Sequence, residues 1–234
     1  MLRLRFGVGF ELKSIRGILV VGEKTIFSEL SQIVDLALEA NALLMKMFKM
    51  SPTDGQLTEN LGLVEGLWKR TVDAEFKCNE DITGGAISPN VIDSLLRCTQ
   101  LASDMVHVNL HISRELARMA KAYSAGLQMH YAYWDSVFEN MLESVEQSQL
   151  KLKQALGSSD IAEISRLRKE IHALEEAGDD VKDQGFDRLY GIAPKLNYLE
   201  FYHYQKLLHN CEDILNDCDD FSALLVSVVT SILK

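Results

Sequence analysis

The chain has 234 residues, 47% of them hydrophobic, so it is long and apolar enough to fold around a core. Its formal net charge is −10, from 34 acidic and 24 basic residues. Such a negative field repels nucleic acid and anionic lipid, which argues against both as main partners and favours cations or a basic protein surface.

The first residues alternate strictly between apolar and other side chains over residues 2–13, which is the period of a β-strand. A second apolar run at residues 18–21 offers a pairing partner, although a lone hairpin is only marginally stable. We therefore assign residues 1–24 to an N-terminal extension with a strand-like pattern. Two interpretations stay open, namely a short ordered hairpin and an extension without fixed structure.

Helical periodicity follows the extension and continues through three segments. Apolar residues there recur at three- and four-residue spacing, as on the buried face of a packed helix. Turn-forming residues separate the segments at residues 51–55 and 83–85. Ser88 and Pro89 are typical of a helix N-cap and a first helical residue. The sequence therefore predicts a first repeat of three helices over residues 25–124.

The second half repeats this plan after a break at residues 125–126. Asp160, with Glu163 three residues later, is typical of a capping box at the start of the fifth helix. Gly178 and Gly185 lie on the apolar seam of that helix, which indicates that a neighbouring helix approaches closely. The second half is therefore also predicted to contain three helices.

These segments together predict an all-α fold of six long helices, arranged as two pseudo-repeated antiparallel three-helix bundles. The first repeat covers residues 25–124 and the second covers residues 127–234. We expect Asp73 and Asp179 to occupy matching positions in the two repeats.

Cysteine usage and hydropathy indicate where such a protein works. The four cysteines form no CxxC pair and lie within helical patterns, so we expect buried thiols in a reducing cytosol: they are Cys78, Cys98, Cys211 and Cys218. The longest uncharged run, residues 221–233, has 13 residues and is too short to cross a bilayer. We therefore expect a cytoplasmic protein without direct membrane insertion.

Acidic residues recur at four-residue spacing on the fifth and sixth helices. Glu175 and Asp179 share one face of the fifth helix, so both carboxylates can reach one cation. On the sixth helix the same spacing relates two pairs, Glu212 with Asn216 and Asp213 with Asp217. These six residues are candidate metal ligands, and the alternative is a solvated acidic face.

The segments 171–179 and 211–217 resemble the paired E(D)xxxD signature of the PhoU family. The resemblance is closest to the branch of small proteins that accompany Pit-type phosphate permeases. It implies a fold of two three-helix repeats and a regulatory role in phosphate uptake. It also implies divalent or trivalent metal cations at the motif carboxylates, with Fe, Zn, Ni and Mg as the candidates.

The first repeat departs from that signature. Asp73 and Asp104 match the aspartate positions, whereas Lys69 and Gln100 stand at the glutamate positions. Asn216 likewise replaces the last aspartate of the second repeat. We therefore expect the second repeat to bind cations more tightly than the first.

A second metal candidate lies on the third helix. Asp104, His107 and His111 fall on one stripe, and two imidazoles four residues apart with a nearby carboxylate are typical of half a Zn, Ni or Fe site. A fourth ligand would come from the second helix, where Asp73 and Glu75 are the two candidates. The alternative is a pair of surface or interface histidines.

The functional prediction is a non-enzymatic accessory protein of phosphate uptake that docks from the cytoplasm on a Pit-type permease, as a homodimer or higher homo-oligomer. No complete set of catalytic residues is evident, and the ferritin-like pattern needs two Glu-x-x-His pairs where the chain has one, Glu200–His203. The rival is a carboxylate-bridged metalloenzyme or metal store. A third possibility is a helical dimer whose acids are only solvated.

Overall fold

The computed structural model describes residues 21–50, 55–85, 87–124 and 135–232. Within these ranges all regular structure is helical, which confirms the predicted all-α fold of six long helices. The helices are α1 (Val21–Phe48), α2 (Gln56–Gly84), α3 (Ile92–Ser124), α4 (Asp135–Gly157), α5 (Ile161–Ile192) and α6 (Tyr198–Ile232). Two short 3₁₀ turns, Pro89–Val91 and Ala193–Lys195, precede α3 and α6.

One helix boundary differs from the sequence-based expectation. Helix α1 begins at Val21, inside the segment that we assigned to the extension. The predicted hairpin otherwise falls on residues outside the described ranges, as does the predicted break at residues 125–126. Ser88 precedes the 3₁₀ turn as expected, but its side chain makes no capping hydrogen bond.

Side-chain caps fix the starts of the two helices that carry the acidic motifs. Asp160 accepts a hydrogen bond from the backbone N–H of Ala162 at 2.9 Å, as a capping residue should. Its predicted partner Glu163 instead accepts from the Ser158 hydroxyl. At the start of α6, Asn197 and Glu200 cap each other's backbone N–H reciprocally at 3.0 Å.

The helices form two sets of three that share a hydrophobic core. Helices α1, α2 and α3 all contact one another, and so do α4, α5 and α6. The sets are joined through α1 with α4 and α3 with α6, which are equivalent pairs if the chain is a repeat. This arrangement is the one expected for two pseudo-repeats, and the superposition of the halves stays a prediction.

The seam glycines of α5 lie where α6 comes closest. A Cβ on Gly178 would collide with Leu215 Cδ1, and one on Gly185 would lie 2.7 Å from Leu208 Cδ2. A side chain at either position would force the facing leucine to shift, which confirms the close approach predicted from the sequence. The two contacts also fix how far α5 is shifted along α6.

The cysteines and the C-terminal run are buried. All four thiols are free and buried, and burial raises the pKa of Cys78 to about 11 and that of Cys98 to about 12. Phe221, Leu225 and Val228 belong to the core. Among the described residues no helix is long and apolar enough to cross a membrane.

Candidate metal site

Close packing of α5 on α6 brings the acidic motifs of the two helices together. The contacts of Gly178 with Leu215 and Gly185 with Leu208 align the helices in antiparallel register. Asp179 therefore faces the turn that carries Glu212, whose residue exposure is only 6%. A carboxylate this buried needs a positive or hydrogen-bonding partner.

That partner is a lysine of the same chain. Lys182 Nζ donates to Asp179 Oδ1 at 2.6 Å and lies 3.1 Å from Glu212 Oε1. The Asn216 amide donates to the same Glu212 oxygen at 2.6 Å. Three predicted metal ligands thus do meet, but an ammonium group already occupies the place between the two carboxylates.

The protonation of this cluster follows from its contacts. Burial disfavours the charge of Lys182, yet its hydrogen bonds to Asp179 and Glu212 outweigh that penalty and raise the pKa of the ammonium. The hydrogen bond from Lys182 lowers the pKa of Asp179. A metal ion at this position would have to displace a firmly charged lysine.

One turn away, three other side chains form a second cluster. His172 Nδ1 lies 3.6 Å from Glu175 Oε2 and 3.4 Å from Asp219 Oδ2, and one ligand atom from each lies within 4.8 Å of the others. Burial raises the pKa of Glu175, and the charges of Asp179 and Asp219 raise it further. Within the described ranges no other set of His, Cys, Asp or Glu side chains meets in this way.

Sequence reasoning included Glu175 in the metal set but omitted His172 and Asp219. The signal was available in part, because His172 precedes Glu175 by three residues and so shares its face. Asp219 follows Glu212 by seven residues, or two helical turns, on the same stripe of α6. The missing information was the register between the helices, which only the packing contacts provide.

Asp213 and Asp217 lie on a different face from the rest of the predicted set. Burial raises the pKa of Asp217 to about 7, and the charges of Asp104 and Asp213 add to this, while Arg97 opposes it. Asp217 therefore lies opposite α3, the helix that carries Asp104. The six predicted ligands therefore do not form one cluster, because Asp217 faces α3 while Asp179, Glu212 and Asn216 meet where α5 packs on α6.

The predicted half-site on α3 has an arrangement of another kind. The Trp68 and His107 rings stack with centroids 4.4 Å apart, and His107 and His111 are separated by the same distance. Burial lowers the pKa of His111, and His107, Lys206 and Arg114 lower it further. The rings are thus packed together in a positive environment, and Asp104 joins no ligand cluster within the described residues.

The remaining first-repeat candidate is exposed. Asp73 lies at the surface of α2. Its neighbour Glu75 is already engaged, because it accepts a hydrogen bond from Ser103 at 2.6 Å. The structure thus does not bring Asp73 into a common cluster with the α3 histidines.

Two crystal structures from Shewanella oneidensis share the fold. A PhoU-like phosphate regulatory protein matches with a TM-score of 0.61 at 14% sequence identity, over 88% of this chain and 99% of that chain. A PhoU-like protein matches with the same TM-score and coverage at 15% identity. Neither a protein-family model nor a curated protein matches the sequence. The fold is therefore the PhoU-like helical bundle, and identity this low establishes the fold alone.

Proposed function

We propose that this protein regulates inorganic phosphate uptake without catalysing a reaction, by docking from the cytoplasm on a Pit-type permease. The observation that carries the proposal is the fold shared over 88% of the chain with a PhoU-like phosphate regulatory protein. The carboxylate motifs on α5 and α6, which resemble the same family, support it independently of the fold. Fold similarity alone does not define function, so the proposal needs a direct test.

Charge provides a physical route to docking. Cytoplasmic loops of membrane proteins are enriched in Lys and Arg, and this chain has a net charge of −10. Attraction between the two surfaces would speed their encounter and weaken as salt screens it. Cations bound at the acidic helices would cancel part of that charge, which makes docking metal-dependent.

Exposed aromatic side chains supply a candidate contact surface. The aromatic patch, defined as Tyr190, Tyr198 and Tyr202, lies where α5 ends and α6 begins, and Tyr198 is 83% exposed. The rings of Tyr198 and Tyr202 stack at 6.3 Å. Exposed tyrosines are enriched at protein interfaces because they combine apolar area with a hydroxyl group. We assign this patch to the permease contact.

Capture of the tagged full-length chain from membranes that contain a Pit-type permease tests the proposal. We expect the permease to co-purify at low salt, and its yield to fall as ionic strength rises. Tyr198→Ala/Tyr202→Ala should reduce capture severalfold, whereas Phe76→Ala, which removes an exposed aromatic ring on α2, should not.

Gene deletion provides the functional readout. We expect altered phosphate uptake, restored by the wild-type chain and not by the Tyr198→Ala/Tyr202→Ala variant. Unchanged uptake together with a purified protein that oxidises iron at enzymatic rates would instead favour the metalloenzyme. Sedimentation of the purified chain would separately test the expected homo-oligomer.

A further inference from the structure

We propose that His172, Glu175 and Asp219 bind one divalent transition-metal ion, with Zn²⁺ or Fe²⁺ as the fitting class, and that Lys182 keeps metal out of the adjacent Asp179–Glu212 position. This inference deepens the metal dependence of the proposed function. It nevertheless concerns a property of the isolated protein, so it can fail or hold separately from permease docking.

The spacing of the donor atoms fits a tetrahedral ion. Zn²⁺ binds imidazole nitrogen and carboxylate oxygen at about 2.0–2.2 Å, which places tetrahedral ligand atoms roughly 3.4 Å apart. His172 Nδ1 lies 3.4 Å from Asp219 Oδ2 and 3.6 Å from Glu175 Oε2. These distances are too long for hydrogen bonds of ordinary strength and match two edges of a tetrahedron.

The donors are oriented toward one another without satisfying one another. His172 Nδ1 is shielded from solvent and has no hydrogen-bond partner, and the same holds for Asp219 Oδ1. The side chains of Glu175 and Asp219 are each only 17% exposed. Two partly buried carboxylates beside an imidazole nitrogen that makes no hydrogen bond are the ligand types that a transition metal requires.

The net local charge is negative, because Glu175, Glu176 and Asp219 lie 3.4–3.8 Å from the His172 ring nitrogens, against one arginine contact. That arginine is Arg168, whose Nη1 lies 3.6 Å from Asp219 Oδ1 and makes no hydrogen bond to it. Arg168 thus leaves Asp219 Oδ2 free to bind a metal ion. The imidazole donor selects against Mg²⁺ and Ca²⁺, which prefer oxygen ligands alone.

The neighbouring acidic pair shows the other way to neutralise buried carboxylates. Lys182 contacts Asp179 at 2.6 Å and Glu212 at 3.1 Å, so that pair already holds one positive charge. The two clusters are one helical turn apart on α5. Their separate neutralisation, by lysine in one case and by metal in the other, predicts one tightly bound ion per chain.

Titration of the purified, metal-stripped full-length protein with Zn²⁺, in competition with a chromophoric chelator, tests the inference. We expect one ion per chain, and visible d–d absorption typical of tetrahedral coordination when Co²⁺ replaces Zn²⁺. His172→Ala and Asp219→Asn should each weaken Zn²⁺ binding by at least about tenfold. His209→Ala, which removes an exposed histidine of α6, should leave it unchanged.

Lys182→Met makes the test sharper. We expect it to keep the first ion and to gain a second, weaker Zn²⁺ equivalent that Glu212→Gln abolishes. Circular dichroism and thermal unfolding of each variant separate loss of binding from loss of fold, and the near-isosteric Glu175→Gln replaces any variant that fails to fold. Absence of stoichiometric Zn²⁺ binding, or equal binding by wild type and all ligand variants, would overturn the inference.

Discussion

The α2–α3 pair and the α5–α6 pair occupy equivalent places in the order of the six helices and carry different chemistry. Between α5 and α6, carboxylates meet Lys182 at one turn and His172 at the next. On α2 and α3 the comparable feature is the ring stack of Trp68, His107 and His111, surrounded by arginine and lysine side chains. We therefore expect cations to bind more tightly at the second pair than at the first.

The predicted correspondence between the repeats locates this divergence. His172 lies three residues before Glu175, and Gly66 lies three residues before Lys69, the residue at the matching motif position. In the same way Asp219 follows Asn216 by three residues, and His107 follows Asp104 by three. On this correspondence the first repeat lacks the imidazole of one helix and the carboxylate of the other. A repeated scaffold can thus keep its packing while its polar face changes.

The largest effect is expected where the repeats meet, at Asp217 on α6. Its pKa is about 7 in the folded protein against an ordinary value of 3.8, because burial and the charges of Asp104, Asp213 and Asp220 outweigh Arg97. Between these pH values the folded state binds more protons than the unfolded state. The stabilising contribution of this group is therefore fully present below about pH 4 and is lost as pH rises through about 7, a total on the order of 4 kcal/mol.

Urea unfolding of the metal-free protein between pH 5 and pH 8 measures this effect. We expect Asp217→Asn to flatten the decline and to be more stable than the wild type at pH 8. Asp187→Asn, at an exposed position of α5, serves as the control and should keep the wild-type slope. Parallel curves for wild type and Asp217→Asn would show that Asp217 is not the titrating group.

The next effect concerns Lys182, which neutralises the acidic pair of the second repeat. Lys182→Met keeps the apolar stem but leaves buried Glu212 without its cation. We expect the free energy of unfolding to fall by about 1–3 kcal/mol, the cost of an unsatisfied hydrogen bond to a charged group. Lys169→Met, at an exposed position of the same helix, should change it by less than about 0.5 kcal/mol.

A double-mutant cycle measures the interaction free energy between Lys182 and Glu212. Glu212→Gln combined with Lys182→Met should recover part of the lost stability, because the unpaired charge is then removed. Strict additivity of the two substitutions would indicate that Lys182 and Glu212 do not interact in solution.

Local sequence patterns, such as caps and turn residues, predicted most of the fold. The site instead depended on the packing register between helices. Asp160 as a cap and the turn at residues 83–85 act within a few residues of chain, so they are readable from the sequence. The start of α1 was missed because the apolar run at residues 18–21 suits a strand as well as a helix.

Only part of the site could be predicted, because local spacing does not show how the helices pack against one another. Four-residue spacing correctly placed Glu175 and Asp179 on one face. It could not show that Asp217 faces α3, that Lys182 reaches across to Glu212, or that Asp219 meets His172. Each of these depends on the rotation and shift of α6 against its neighbours, and a sequence period carries no such information.

The smallest expected effect is the change in the free energy of unfolding when a glycine is replaced by alanine. Its sign should differ between Gly178 and Gly66. Gly178→Ala inserts a methyl group against Leu215, and overpacking of this kind costs about 1–3 kcal/mol. Alanine also favours the helix by about 1 kcal/mol, so a net loss of roughly 1 kcal/mol remains. Gly66→Ala meets no atom within 4 Å, so only the helix-forming gain applies and the protein becomes more stable by about 0.5–1 kcal/mol. Urea unfolding of both variants checks the pair, with Gly62→Ala as a second open position. If Gly178→Ala were as stabilising as Gly66→Ala, Leu215 would have to move aside freely, and the close α5–α6 contact would no longer explain the register that aligns His172 with Asp219.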